Sequence, residues 1–124
     1  MQSEEFLDQV QNRAGLTDRE QAAKISQTVL AVFGQLPAGG EIRDAASQLP
    51  KDIEQMLGET PEPEKFAADE FIERIQSQLD VSREEADQAA TAVLSTVSAA
   101  VTEGQRVELL NKLPNDFSRF ATSK

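Results

Sequence analysis

Apolar residues recur along this chain at spacings of three and four, and the stripes they form are interrupted at regular points by Gly, Pro and capping residues. That period belongs to amphipathic helices. Phe6, Leu7, Val10 and Ala14 mark a first helix over residues 3–13. Ser3 is placed to cap it, Glu4 and Glu5 suit the positive end of its dipole, and Gly15 ends it. Thr17, with Glu20 three residues on, reads as a capping box opening a long helix that runs to residue 35. Its stripe is Ala22, Ile25, Val29, Val32, Phe33 and Leu36. The tract 37–40 (Pro-Ala-Gly-Gly) turns the chain. Residues 41–48 predict a third helix with Ile42, Ala45, Ala46 and Leu49 inward. Pro50 fits the first turn of a short fourth, with Ile53, Met56 and Leu57 inward and Gly58 at its end.

A linker with two prolines, residues 59–63, follows, and then the plan repeats. Helix five spans 64–79, with Phe66 as an early anchor and Phe71, Ile72, Ile75 and Leu79 inward. Ser82 and Glu85 make a second capping box. The sixth helix carries Ala86, Ala89, Val93, Val97 and Ala100, and Gly104 marks a turn. Leu109, Leu110 and Leu113 line the seventh, and Pro114 opens an eighth with Phe117 and Phe120 inward. Residues beyond 121 are expected to fray.

The repetition is residue by residue. Residues 18–57 overlay 82–121 at a constant offset of 64, matching Arg19, Glu20, Ala22, Val29, Leu30, Gly40, Leu49, Pro50 and Asp52 with Arg83, Glu84, Ala86, Val93, Leu94, Gly104, Leu113, Pro114 and Asp116. Ahead of residue 17 the offset is 65, and Phe6, Val10 and Gln11 overlay Phe71, Ile75 and Gln76. Large and small residues trade places between the copies. Phe33 and Leu36 stand over Val97 and Ala100, whereas Ala45 and Ala46 stand over Leu109 and Leu110, so core volume moves while its total is roughly kept. The expected architecture is all-α, a single domain over residues 1–124 with about eight helices in two pseudo-symmetric four-helix repeats, 3–58 and 64–121. One repeat alone is too small for a secure core, so the two should share one.

The tract Ala45-Ala46-Ser47-Gln48-Leu49-Pro50, after a Phe-bearing first helix and a long Ala/Val/Leu helix, resembles the bacterial domain-of-unknown-function family 2267. The second pass, Leu109-Leu110-Asn111-Lys112-Leu113-Pro114, departs from that pattern at Lys112. The resemblance covers most of the chain. It implies a small all-helical protein of unsettled activity and supplies no catalytic residues.

Charge and chemistry narrow the function. The net charge is −10, spread evenly over the two halves. An evenly acidic surface argues against nucleic acids and anionic membranes, which need Lys and Arg to displace counterions. Its first consequence is solubility. There is no Cys, the N-terminal stretch is acidic, and no apolar run approaches spanning length, so a cytoplasmic protein is expected. With no His, Cys or Tyr, acid–base or nucleophilic chemistry has few carriers, and a non-enzymatic protein is expected. The carboxylates around Glu62–Glu73 and Glu84–Asp87 lack the alternating loop of a calcium site, and Gly39-Gly40 lacks the Lys of a phosphate loop. No cofactor and no metal are expected.

What remains is binding. Leu49-Pro50 and Leu113-Pro114 are candidates to frame a groove between the repeats, with Arg19 and Arg83 as paired anchors at the starts of the two long helices. The expected role is a binding or scaffold protein that engages another protein through an apolar groove with an acidic rim. The alternative is a carrier of a small apolar ligand held between the repeats and lined by Phe33, Phe66, Phe71, Phe117 and Phe120. The oligomeric state is left open, since the longest stripes suit an intermolecular bundle as well as an internal one.

Overall fold

A computed structural model describes residues 1–36, 39–58, 64–113 and 115–121. The turn at 37–38, the linker 59–63, Pro114 and the tail 122–124 named above lie outside the described residues. Among the described residues there is no β-strand, and the protein is all-helical. Seven α-helices follow in order: α1 (Ser3–Ala14), α2 (Arg19–Phe33), α3 (Gly39–Ala46), α4 (Lys51–Glu54), α5 (Ala68–Leu79), α6 (Arg83–Ala100) and α7 (Glu103–Lys112). Two 3-10 segments, Gln55–Leu57 and Asn115–Ala121, complete each half.

Local chemistry sets the helix ends, with some departures from expectation. Gly15 sits at φ 67 and closes α1, and Asp80 takes the same left-handed place after α5 at φ 56. α2 is capped by Asp18, whose carboxylate accepts from the Gln21 amide at 2.8 Å, and not by Thr17. A carboxylate at the positive end of the dipole is the stronger cap, and it starts the helix one residue later. Ser82 and Glu85 do form the expected capping box at α6. Ser3 does not cap α1 but is its first residue, and its hydroxyl donates to Asp52 at 3.5 Å.

Helix five begins at residue 68, not 64. Residues 64–67 are not helical, and that path carries Phe66 into the core, where the Arg74 guanidinium stacks 4.1 Å from its ring centre. Arg74 also donates to Glu70 (3.0 Å), Glu64 (3.2 Å) and Gln35 (2.7 Å), tying the segment to α2 and α5. Burial opposes the Arg74 charge, but the hydrogen bonds to Glu70 and Glu64 outweigh it and hold the pKa above the ordinary guanidinium value. The last helix is 3-10 rather than α. Three residues per turn put Phe117 and Phe120 on the same side, and both are buried.

The two long helices, α2 and α6, pack together at the centre. α1 packs on both of them, and so does α5. The segment Gln55–Leu57 lies on α2, Asn115–Ala121 lies on α6, and α3 pairs with α7. α6 is buried at nine of the ten positions from 89 to 98. Two of its polar residues there are bonded inside: Ser95 donates to the Phe120 carbonyl (2.9 Å) and Thr96 to the Ala92 carbonyl (2.7 Å). Phe71 on α5 is the centre of a ring cluster, with centroids 6.3 Å from Phe33, 5.1 Å from Phe117 and 5.6 Å from Phe120. Fully burying one such side chain is worth roughly 1.5–3 kcal/mol.

Gly34 marks the tightest approach between elements. Its φ of −66 suits any residue, but a Cβ there would collide with the Leu57 carbonyl oxygen. The 3-10 turn therefore lies against bare backbone at the end of α2. At the same register in the second half stands Ser98. A void of about 30 Å³ opens there, between Ser98, Leu113 and Phe117. Gly34→Ala is expected to destabilise the protein by about 2 kcal/mol, because well-packed backbone must shift. Gly104→Ala meets nothing within 4 Å and should be neutral or stabilising by up to about 1 kcal/mol. Urea midpoints of the two variants, measured side by side, check both.

Candidate functional site

The Leu-Pro turns turn out to be built into the core. Leu49 and Leu113 are each only 7% exposed. Leu49 borders a void of about 10 Å³ and Leu113 the void of about 30 Å³, and both voids touch Phe33, Val97 and Leu109. The structure thus brings the two leucines to one apolar seam beneath α3 and α7. Phe117 and Phe120 line this seam as well, Phe71 packs behind them, and Phe66 lies under Arg74. Pro50 is half-buried as the N-cap of α4, and Pro114 lies outside the described residues.

Two residues of the same motif have structural work that sequence reasoning did not assign. The Gln48 side chain accepts from the Thr102 amide at 2.8 Å, so the first half supplies an acceptor at the N-cap of α7. Asp116 accepts from the Ala68 amide at 3.1 Å, at the start of α5. Asp52, 64 residues earlier, meets Ser3 at the start of α1. The pattern Leu-Pro-x-Asp therefore plugs the core with its Leu and ties down the first helix of its own half with its Asp.

Arg19 and Arg83 are exposed and engaged by carboxylates. Arg19 pairs with Asp8 at 2.8 Å, and Arg83 with Asp69 at 2.9 Å and Glu73 at 3.9 Å. Each links a long helix to the helix before it, and exposed pairs of this kind contribute about 0–1 kcal/mol. They stand apart from the apolar seam.

A concavity lies elsewhere, between the C-terminal end of α1 and the face of α6 that carries Glu84, Gln88 and Thr91. It encloses about 500 Å³ and is lined by Arg13, Glu84, Asp87, Gln88, Thr91, Ala92 and Ser95. Arg13 forms one wall, held across the interface by donating to the Thr96 hydroxyl at 2.8 Å. Thr91 donates to Asp87 at 3.3 Å on the opposite wall. At Gln88 this polar limb meets a second concavity of about 280 Å³, which is mainly apolar. Ala14, Leu16 and Ile25 line it from the first half, and Leu79, Val81 and Ala89 from the second, with Glu85 at the edge. These residues stand in register at the sequence offsets of 65 and 64: Ala14 over Leu79, Leu16 over Val81 and Ile25 over Ala89.

The groove thus joins a notch at the meeting of the two helix junctions to a limb along α6 whose charged lining residues are Arg13, Glu84 and Asp87. On α2 the residues in register with Glu84, Asp87, Gln88, Thr91 and Ser95 are Glu20, Ala23, Lys24, Gln27 and Ala31, and the counterpart of Arg13 is Gln78. The signal that could have found this site was present in the sequence, at positions where the two copies differ in charge or polarity. The lining sets carboxylates and one guanidinium beside aliphatic side chains, and its two hydroxyls are already donating, Thr91 to Asp87 and Ser95 to the Phe120 carbonyl. Among the described residues no three acidic side chains converge as a metal ion would need, and no helix is long and apolar enough to cross a membrane.

Comparison with known proteins now adds one fact. The model of a family described as an uncharacterized conserved protein (DUF2267) matches residues 3–120. The chain belongs to this family. No curated protein matches it. DUF2267 membership agrees with the resemblance carried by the tract 45–50, and within this member Gln48 of that tract does structural work across the two halves.

Gln48→Ala should cost about 0.5–1.5 kcal/mol, the usual worth of one hydrogen bond to a backbone donor. Its signature is local: amide exchange at Thr102 should accelerate while the α2 amides keep their protection. Unchanged exchange at Thr102 would remove the cross-half cap.

Proposed function

We propose that the protein is a non-enzymatic binding protein, built on a duplicated helical unit and acting in the cytoplasm, which engages another protein through the groove between α1 and α6. The duplication is supported by register. α1 and α5 start 65 residues apart, and α2 and α6, like α3 and α7, start 64 apart. The packing is crossed in the same way on both sides, with each first helix resting on both long helices. Such a frame carries a second surface without a second fold.

The observation that carries the binding reading is the notch. Half-buried aliphatic side chains from both junctions (Leu16, Ile25, Leu79 and Val81) share one concavity at the meeting of the halves, and they are continuous with a polar limb. An apolar floor with a charged border is the form that receives a side-chain anchor from a protein partner. The absence of His, Cys and Tyr from the sequence supports a role without acid–base or nucleophilic chemistry.

A carrier of a small apolar ligand would use the seam under α3 and α7. Its voids of about 30 and 10 Å³ are small beside the roughly 300–1,000 Å³ of ordinary ligand pockets. That reading requires α3 and α7 to move, whereas the groove is formed as it stands.

A photo-crosslinking residue placed at Gln88, in the groove, and at Lys24, its register mate on α2, separates the readings. In the native host the Gln88 variant should give one dominant protein adduct that the Lys24 variant lacks. Identical adducts from both positions, or none from either, would overturn the proposal.

A further inference from the structure

We infer that α3 and α7 form one cooperative unit, which opens away from the apolar seam while the central helices stay folded. The inference is independent of the groove between α1 and α6. Its first ground is packing. Among the described residues α3 and α7 pack chiefly on each other, and α7 also meets the segment Asn115–Ala121. α7 buries Leu109 alone among its ten residues and leaves Val107 exposed, whereas ten residues of α6 are buried. The seam beneath the pair is incompletely filled. A void of about 30 Å³ lies beside Leu109 and Leu110, one of about 10 Å³ lies beside Ile42, Ala45 and Ala46, and Leu109 borders both. Side chains that face a void forfeit the contacts that hold a helix down.

The second ground is length and hydrogen bonding. α3 has 8 residues and α7 has 10, and helices shorter than about 12–15 residues are marginal without packing. Each therefore leans on the other, and loss of one leaves the other unsupported. The bond from the Thr102 amide to Gln48, at 2.8 Å, ties the chain just after α3 to the start of α7. The backbone is extended at Thr102 and Leu113, on either side of α7, so this helix can leave the seam without breaking the hydrogen bonds of α6. Arg43 donates to the Gly58 carbonyl at an exposed edge, where water readily replaces the bond. One group favours opening. The side-chain nitrogen of Gln105 is enclosed and meets no hydrogen-bond partner among the described residues, and opening returns it to water. The opened state uncovers Phe33, Val97 and Phe117, an apolar surface drawn from both halves, while α1, α2, α5 and α6 keep their crossed packing.

The test is native-state amide exchange of the intact protein at several urea concentrations below the unfolding transition. The amides of residues 43–47 and 106–112 should exchange through one shared opening. That opening should run about tenfold or more ahead of global unfolding, as the buried amides of α2 and α6 report it, and with a shallower dependence on urea. Two variants test the coupling, each changed on one helix and read on the other. Ala45→Gly lowers the helix propensity of α3 and should speed exchange about fivefold in α7 as well as in α3. Gln105→Met removes the enclosed amide of α7 and should slow exchange about fivefold or more in α3 as well as in α7. Exchange of both helices at the global rate and urea dependence would overturn the inference, because no separate unit would exist. A response confined to the substituted helix, or different urea dependences for α3 and α7, would overturn it by showing two independent openings.

Discussion

The rest of the structure depends on mutual burial across the midpoint of the chain. A half of this size is marginal by itself, because a domain of about 60 residues buries only about 60% of the surface its unfolded chain exposes. The solution is crossed: α1 rests on α6 as well as α2, and α5 on α2 as well as α6. Phe6, Phe71, Val10 and Ile75 are completely buried as a result. Separating the halves would expose these side chains on both sides at once. The long helices answer to the same constraint, and α6 is buried so thoroughly that its Ser95 and Thr96 must find carbonyl partners inside.

This constraint explains which parts were legible in the sequence. A stripe at helical spacing reports burial directly, so Ala22, Val29, Val32 and Phe33 on α2, and Ala86, Ala89, Val93 and Val97 on α6, were readable as inward positions, and all are buried. Ends were less legible where two residues compete for one role. Thr17 and Asp18 both suit a cap, and the carboxylate wins because the helix terminus is itself a positive pole. The register offered the right answer, since Asp18 stands over Ser82. Residues 64–67 were misread as helix because Phe66 fits a helical spacing. It reaches the core from a non-helical path instead, held by Arg74 and by contact with the end of α2.

The candidate site was illegible for a different reason. Its walls come from the end of α1 and the outer face of α6, which no local pattern brings together. The repeated residues drew attention to what the copies share, and what they share is the frame. Leu49 and Leu113 plug it, Asp52 and Asp116 tie its first helices, and Arg19 and Arg83 brace long helix against short. These residues, which stand in register at an offset of 64, are each accounted for by packing or by a tie between helices.

The positions in register that differ between the two halves set α6 apart from α2. Thr96 stands where α2 has Val32, and its hydroxyl holds Arg13, whose counterpart is Gln78. Asp87 stands where α2 has Ala23, and Ser95 where it has Ala31. None of these exchanges is needed to fill the core, because the apolar residues in the first copy occupy the same register. Polar groups on a buried helix cost stability unless they are partnered, and of the three buried on α6 two are bonded as follows: Thr96 with Ala92 and Arg13, Ser95 with Phe120. Asp87 and Thr91 thus give α6 a lining that Ala23 and Gln27, the residues in register on α2, do not repeat. That difference, beside a notch lined by residues of both halves, is what separates the two long helices once their shared burial is accounted for.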